Sequence, residues 1–351
     1  MPVATALLCL PGNRTAQKSP GLQPCLIGLD ALSEAVYDIA VVLASFRHAE
    51  FVAHADFSPV SPEEVSMSAV SIRAAGSRDV RACGRIFYEA FRTIAEKHNF
   101  PREVPSEEVG IGIIGQLFGN PGFYCVVAED RDRVVGSNCL DERNEISGIG
   151  PISVDPGVQD SGIGRKLMRA VIDRSDERGF RGVRLVQDAY HCRSLSLYAK
   201  LDFACREQLV VMNGVPGGDD PSYTVRPGTD ADAASCNRLC AATHGFTRDG
   251  ELRQAIAQGH AFVAERDGAV RAYTSALGYF GHTVGESAAA IGALLARAPH
   301  QPSPGVLVPT RDTSLFRWCL DHGMRTVQPM TLMTRGFYEE PRGSYLPSIL
   351  F

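Results

Sequence analysis

The sequence predicts a mixed α/β (α+β) fold in two tandem copies, each a mixed, mostly antiparallel sheet flanked by helices. Strand-like runs alternate with amphipathic helical patterns through most of the chain, which is typical of this class. A segment rich in Gly, Pro and Asp, residues 213–222, interrupts them and indicates a domain boundary. Just after it, the same pattern starts again: Arg73 is matched by Arg226 and Cys83 by Cys236, at one constant spacing.

The domain organisation follows from this repeat. The predicted parts are an N-terminal extension (1–66), a first copy (71–212), a linker (213–222), a degenerate second copy (223–336) and a C-terminal tail (337–351). The extension is rich in Pro, Gly and Ser at both ends and is expected to be partly disordered. A flexible extension and an overlong choice of start codon ahead of Met67 both remain open.

The composition is that of an ordinary globular protein. The chain has 351 residues, of which 44% are hydrophobic and 21% charged, and its formal net charge is -5. This charge gives no support to a nucleic-acid partner. No window approaches the roughly 18 uninterrupted apolar residues of a membrane span, and the first residues lack the basic segment of a secretory signal. We therefore expect a cytoplasmic protein without a membrane partner.

The ten cysteines contain no CxxC pair, so neither a disulfide scaffold nor a zinc ribbon is indicated. Cys236, Cys240 and His244 are spaced four apart and would share one helix face, as metal ligands could. In the repeat, however, they fall on the apolar face of the first helix of the first copy. This favours a core-facing stripe, and no metal is predicted.

The stretch "VDPGVQDSGIGRKLM", residues 154–168, has the composition of a phosphate-binding loop. A Walker A loop is excluded because Ile163, not Lys, follows Gly162. A dinucleotide fingerprint is excluded because Leu167 stands where the third glycine belongs. What remains is Gln-x-x-Gly-x-Gly at residues 159–164, whose glycines would let backbone N–H groups converge on an anion at a helix N-terminus. A glycine-rich turn without a ligand is the alternative.

A second motif lies about 30 residues further on. In "SLSLYAKLDF", Ser194 and Tyr198 are four apart and share one helix face. With these two motifs in this order, residues 71–212 resemble the GCN5-related N-acetyltransferase (GNAT) family. Residues 223–336 resemble a degenerate copy of the same acyl-CoA N-acyltransferase fold.

The resemblance implies an N-acetyltransferase that moves an acetyl group from acetyl-CoA, its cosubstrate, to a primary amine by direct attack. Tyr198 is implied as the general acid that protonates the departing CoA thiolate. One N–H of residues 152–154 would polarise the thioester carbonyl. The residues implied to contact acetyl-CoA are Ile152, Ser153, Val154, Gln159, Asp160, Ser161, Gly162, Ile163, Gly164, His191 and Ser194. The amine would belong to a small molecule or a protein, and the enzyme would be a monomer or a homodimer.

Three residues depart from the family pattern. His191 stands in place of the family's Asn, Asp202 in place of its Gly before Phe, and Asp160 occupies a loop position that is often Gly. An acid beside a pyrophosphate requires an outward-pointing side chain, with Arg165 and Lys166 expected to offset its charge.

The general base is not identified by the sequence. Family members that use a carboxylate often place it on the strand before the loop, where this chain has Gly150. Alternatives are Glu145, the Asp-Glu-Arg run at Asp141–Arg143, His191 acting through water, and a water chain alone.

The second copy has lost the parts that would hold and cleave a thioester. It has no Gln-x-x-Gly-x-Gly element, and Cys319 aligns with Tyr198. It is expected to be catalytically silent and either to complete the substrate cleft, with Tyr279, Phe280 and His282 as lining residues, or to be purely structural. The alternative for the whole chain is a non-catalytic acyl-CoA-binding or regulatory protein, against which the retained Tyr198 argues.

Overall fold

The computed structural model of the chain describes residues 70–218, 220–300 and 304–351. These residues belong to one compact unit, Ser66–Phe351. The predicted N-terminal extension, residues 1–66, lies outside the described residues. Among the helices of the described part, none is both long and apolar enough to cross a membrane.

The described residues alternate between helices and strands, as the sequence patterns predict. The helices are α1 (Val80–His98), α2 (Glu107–Gly119), α3 (Ile163–Glu177), α4 (Cys192–Ala199), α5 (Ala233–His244), α6 (Asp249–Ala257), α7 (Ala288–Arg297) and α8 (Thr313–Asp321). The strands are β1 (Ser71–Ala74), β2 (Phe123–Asp130), β3 (Arg133–Asp141), β4 (Ile146–Ile149), β5 (Ser153–Val154), β6 (Gly182–Asp188), β7 (Ala204–Asn213), β8 (Thr224–Pro227), β9 (Phe262–Arg266), β10 (Ala269–Thr274), β11 (Thr283–Gly285), β12 (Val306–Pro309), β13 (Arg325–Gly336) and β14 (Ser344–Leu346).

Local sequence explains where several helices begin. The hydroxyl of Ser106 accepts a hydrogen bond from the Val109 N–H at the start of α2, and Ser287 does the same for Ala290 at the start of α7. A side-chain oxygen at this position satisfies one of the N–H groups that the first helical turn leaves without an intrahelical acceptor.

The strands form two sheets, and the predicted fold class is confirmed. The larger sheet has the order β1-β2-β3-β4-β6-β13-β7-β12, with β5 beside β3. Its one parallel pair among these strands is β4 with β6. The smaller sheet, β14-β11-β10-β9-β8, is antiparallel throughout. Helices cover these mixed, mostly antiparallel sheets, as in a layered α/β fold.

Strands from the C-terminal half complete the larger sheet. Strand β13 lies between β6 and β7 and is antiparallel to both. Strand β12 pairs with the other edge of β7. The sequence does not predict this arrangement, because an apolar strand has the same pattern whichever neighbours it joins. Hydrogen bonds of one sheet therefore join the two halves.

Apolar helix faces pack on both sides of the larger sheet. Cys83 and Phe87 of α1 are buried on one side, together with Ile114 of α2. Ile163 and Leu167 of α3 are buried on the other side. The part of the sheet between these two helix layers, where β4 and β6 are neighbours, positions the site described below.

The same ion pair occurs near the start of each half. Arg73 contacts Asp79 at 2.8 Å, and Arg226 contacts Asp232 at 2.8 Å. Each arginine also pairs with a glutamate on the neighbouring strand. Hydrogen bonds from the arginines hold the pKa values of both aspartates below their usual range, against the effect of burial.

Cys236 and Cys240 pack in an apolar cluster with Leu252 and Tyr273. The core-facing interpretation of these two cysteines is confirmed. His244 is also buried. Within the described ranges, no group of three or more His, Cys, Asp or Glu side chains is arranged to hold a metal ion.

Candidate functional site

The larger sheet opens where β4 and β6 diverge. The parallel pairing joins Ile146–Gly148 to Gly182–Arg184 and ends there, since the chain after β4 turns to pair with β3 as β5. The gap between these strands is the centre of a cavity of about 370 Å³. Backbone groups along the gap are free of sheet partners on the side that faces the cavity.

Every residue assigned to the site from the sequence lines this cavity. These residues are Ile152, Ser153, Val154, Gln159, Asp160, Ser161, Gly162, Ile163, Gly164, His191, Ser194 and Tyr198. The glycine loop and the helix that carries Tyr198, which are about 30 residues apart in the sequence, thus line the same cavity.

The N–H of Val154 points toward the gap. The N–H of the next residue, Asp155, donates to Val135 O of β3 at 2.9 Å. Because successive residues of a strand direct their backbone groups to opposite edges, the N–H and C=O of Val154 face away from β3. The carbonyl accepts a hydrogen bond from Gln159 Nε2 at 3.2 Å. The side chain of Ser153 is buried 3.4 Å from Ser137 Oγ, and by the same alternation its backbone N–H and C=O face β3, so Val154 is the residue of β5 that offers its N–H to the gap.

The glycine loop has the geometry of an anion-binding turn. The carboxylate of Asp155 accepts from the Gly157 N–H at 2.9 Å and fixes the start of the loop. Gly162 has φ 82°, a left-handed conformation that glycine adopts without steric cost, and α3 begins at the next residue. A Cβ at Gly164 would meet only ordinary contacts, at 3.6 Å and beyond. The first N–H groups of α3 have no intrahelical acceptor and point toward this turn.

The acidic residue of the loop points outward, as its position requires. The Asp160 side chain is 83% exposed and lies 2.9 Å from Arg193 Nη2. Arg193 also donates to Gln159 Oε1 at 3.0 Å, which ties the loop to α4. The ion-pair partner of Asp160 is therefore Arg193, on α4, rather than Arg165 or Lys166; Lys166 Nζ donates to Val70 O instead.

Tyr198 is buried at the wall of the cavity and remains protonated at neutral pH. Burial raises the pKa of its phenol to about 12, against the smaller opposite effect of a hydrogen bond with Ser194. Ser194 Oγ lies 2.8 Å from His191 Nδ1. Burial, and then the positive charges of neighbouring side chains, lower the pKa of His191 to about 4, so this imidazole is neutral. The arrangement offers an uncharged O–H donor on a buried side chain.

Comparison with known proteins finds a family match over about a third of the chain. Residues 86–203 match the profile of the Acetyltransferase (GNAT) family. The chain contains a GNAT-family domain. No curated protein matches the chain.

Solved structures share the fold over most of the chain. A protein of Pyrococcus horikoshii assigned as an acetyltransferase is 18% identical with a TM-score of 0.62, over 78% of this chain and 91% of its own. A GCN5-related N-acetyltransferase from Sphaerobacter thermophilus is 15% identical with a TM-score of 0.53, over 77% of this chain and 96% of its own. At these identities the similarity concerns the fold.

Two carboxyl groups that the sequence analysis missed lie beside this cavity. Asp188, the last residue of β6, and Glu103, in the loop between α1 and α2, both line it. Burial, followed by the negative charge of Glu103, raises the pKa of Asp188 well above its usual range. Asp188 had a recognisable signal, because ligands bind at the carboxyl ends of strands in open α/β sheets. Glu103 had none.

The carboxylates offered by the sequence as bases lie elsewhere. Glu145 accepts hydrogen bonds from Thr247 N at 2.8 Å and from Arg181 at 2.9 Å. Asp141 is buried in an ion pair with Arg143. These groups hold the structure together outside the cavity lining, whereas His191 does line it.

The C-terminal half reaches the cavity through two of its three predicted residues. Tyr279 and Phe280 line it. His282 is buried instead, with Nε2 2.8 Å from Tyr273 OH and Nδ1 3.0 Å from Glu251.

Proposed function

We propose that this chain is an acetyl-CoA-dependent N-acetyltransferase that moves the acetyl group to a primary amine by direct attack. The observation that carries the proposal is that one cavity is lined by the glycine loop, the splayed strand and Tyr198. These are the three elements that a thioester donor needs: an anion cradle, a backbone donor and an acid.

The residues around the cavity fit acetyl-CoA. The pyrophosphate would lie against the N–H groups of residues 159–164 at the start of α3, where the helix dipole favours negative charge. The N–H of Val154 would donate to the thioester oxygen and stabilise the negative charge that develops there. Acetyl-CoA supplies the activated acyl group.

The chemistry needs one nucleophile and one acid. The lone pair of the amine nitrogen attacks the thioester carbonyl carbon, and the carbon–sulfur bond breaks as the tetrahedral intermediate collapses. Tyr198 gives its proton to the departing thiolate. A buried phenol suits this role because it stays protonated at neutral pH, while the same burial raises the basicity of the thiolate.

We also propose that residues 223–336 are a degenerate tandem copy that completes the cleft without binding acetyl-CoA. The recurrent ion pairs of Arg73 and Arg226 support the repeat. Cys319, which aligns with Tyr198, is buried in the apolar core and offers no group to a ligand. Tyr279 and Phe280 support the role in the cleft.

An acetyl-transfer assay tests the proposal. We expect release of the CoA thiol from acetyl-CoA when a primary amine is added, with the acetylated amine as the second product by mass spectrometry. A non-catalytic acyl-CoA-binding protein would bind acetyl-CoA and release no thiol with any amine in a broad panel.

A further inference from the structure

We propose that the acceptor is a primary amine carried on an apolar body, and that the Glu103–Asp188 carboxyl pair holds its nitrogen and removes its proton. This inference rests on the proposed acetyltransferase function and names the substrate class of that same cavity. It also assigns a binding role to residues of the C-terminal half.

Two side chains of the C-terminal half hold the carboxyl pair in place through hydrogen bonds. Tyr279 OH donates to Glu103 Oε2 at 3.0 Å. Gln328 Nε2, on β13, donates to Asp188 Oδ1 at 3.1 Å and also to Glu103. Neither donor brings a positive charge, so the negative charge of the pair is not neutralised by these contacts. A cationic amine is the ligand that such a pair attracts.

A buried side chain without a partner independently indicates a ligand in this cavity. Gln187 is only 6% exposed and lines the cavity, yet neither its Oε1 nor its Nε2 has a hydrogen-bond partner among the described residues. Leaving such a buried amide unpaired costs free energy that a bound polar group would recover. The cavity is thus built to hold a molecule with polar groups.

The two faces of strand β6 carry different parts of the proposed reaction: the thioester lies on one face and the amine on the other. Leu185 packs in the same cluster as Tyr198, and Val186 packs with Tyr279. Because side chains alternate along a strand, Gln187 shares the face of Tyr198, and Asp188 shares the face of Tyr279. The cavity lies at the splayed edge where the two faces meet, so an amine held by Asp188 can approach a thioester on the Tyr198 side.

The cavity walls around the proposed amine substrate are apolar. The lining residues there are Phe87, Phe91, Ile94, Phe280, Ile349 and Leu350. One carboxyl pair can neutralise one ammonium group, and a second charge placed against such walls would be buried without a partner, at high cost. The cavity therefore favours a monoamine with an aromatic or aliphatic body over a diamine.

The protons balance in the reaction. A bound ammonium gives its first proton to the carboxyl pair, and the freed lone pair attacks the carbonyl carbon. After attack the nitrogen gives up a second proton, which replaces the one that Tyr198 gave to the thiolate. The proton on the carboxyl pair passes to solvent, so one acetyl group is transferred and one proton is released.

Substrate comparison tests the inferred class. With acetyl-CoA fixed, 2-phenylethylamine is expected to have a kcat/KM about 10-fold or more above that of 1,4-diaminobutane, since one unpaired buried charge costs at least this much. Equal or better turnover of the diamine would overturn the inferred class.

Variants test the carboxyl pair. Glu103→Gln and Asp188→Asn are expected to raise the KM for the amine by about 10- to 100-fold, the effect of losing a hydrogen bond to a charged group, with acetyl-CoA affinity unchanged. Glu108→Gln, an exposed glutamate on α2, is the matched control and should leave both constants unchanged. Tyr279→Phe removes only a hydroxyl and is a milder variant, expected to raise the amine KM several-fold.

The pH dependence of kcat/KM distinguishes a proton-accepting role of the carboxyl pair from a purely structural one. Asp188 faces Glu103, Tyr190, Tyr198 and Tyr279. Of these, Glu103 raises the pKa of Asp188, so Glu103→Gln should move the acidic limb of kcat/KM to lower pH.

If wild type binds no acetyl-CoA, the proposed function itself fails. If wild type acetylates an amine and the amine KM and the acidic limb are unmoved in these variants, only the present inference is overturned.

Discussion

Tyr198 is the residue on which the proposed chemistry depends most. Replacing it with Phe keeps the ring that packs with Phe203 and removes only the acid. We expect kcat to fall by about 100-fold or more, the usual contribution of a general acid, while the Kd of acetyl-CoA stays within a factor of about two. Steady-state kinetics and calorimetry on the same preparation measure both.

Tyr88→Phe is the control for this variant. Tyr88 lies on α1, is half-buried and packs beside the apolar cluster rather than lining the cavity. Full activity of Tyr198→Phe would remove this residue from the mechanism. Equal losses in both variants would indicate a general effect on folding.

The ion pair of Arg226 with Asp232 is expected to make the free energy of unfolding depend on pH. Arg226 holds the pKa of Asp232 below its usual range, so the pair stabilises the fold above pH of about 4, and the effect is lost as pH falls through the lowered pKa. Arg226→Met should reduce the free energy of unfolding at pH 7 by about 1.5–3 kcal/mol. Urea unfolding at a series of pH values should find this difference shrinking toward the acid end.

Arg238→Met provides the comparison, since Arg238 is exposed on α5 and donates to the uncharged hydroxyl of Ser235 at 2.8 Å. It should change the free energy of unfolding little at any pH. A pH-independent loss in Arg226→Met would mean that the arginine acts by packing and not through Asp232.

At the scale of elements, the loop before α3 is the most specific feature. Gly164→Asp would place a negative charge where the pyrophosphate is proposed to lie, yet its Cβ would meet only Leu197 and Val154, at 3.6 and 3.9 Å. We therefore expect acetyl-CoA affinity to fall by more than about 10-fold, with thermal stability nearly unchanged. Gly112→Asp, at an exposed position of α2 with open space around it, should bind acetyl-CoA as wild type does. Tight binding by Gly164→Asp would exclude the loop from the cofactor site.

The features that the sequence predicts are those encoded locally. Gly162 and Tyr198 belong to short motifs whose residue types and spacing alone indicate an anion-binding turn and a helix face. The carboxyl pair is different, because Glu103 depends on Tyr279 and Gln328, which lie far away in the chain. The contact of Gln328 exists only once β13 has entered the larger sheet. The position of β13 has no local signal, because its apolar pattern fits either half.

At the scale of the molecule, the shared sheet predicts cooperative unfolding. Strand β13 is hydrogen-bonded to β6 and β7 along most of its length, so neither half can lose it without breaking the larger sheet. Trp318, the chain's one tryptophan, is half-buried and packs against the core of the C-terminal half. We expect its fluorescence and the far-UV circular dichroism to report one coincident transition in urea. Two separated transitions would contradict this account.

The central claim is that the first half binds acetyl-CoA through residues 159–164 and that residues 223–336 do not. Calorimetric titration of acetyl-CoA into the full chain tests it most directly. The account predicts one site per chain, which Gly164→Asp weakens. Two sites would contradict the silent role of the C-terminal half, and no binding at millimolar acetyl-CoA would contradict the acetyltransferase function itself.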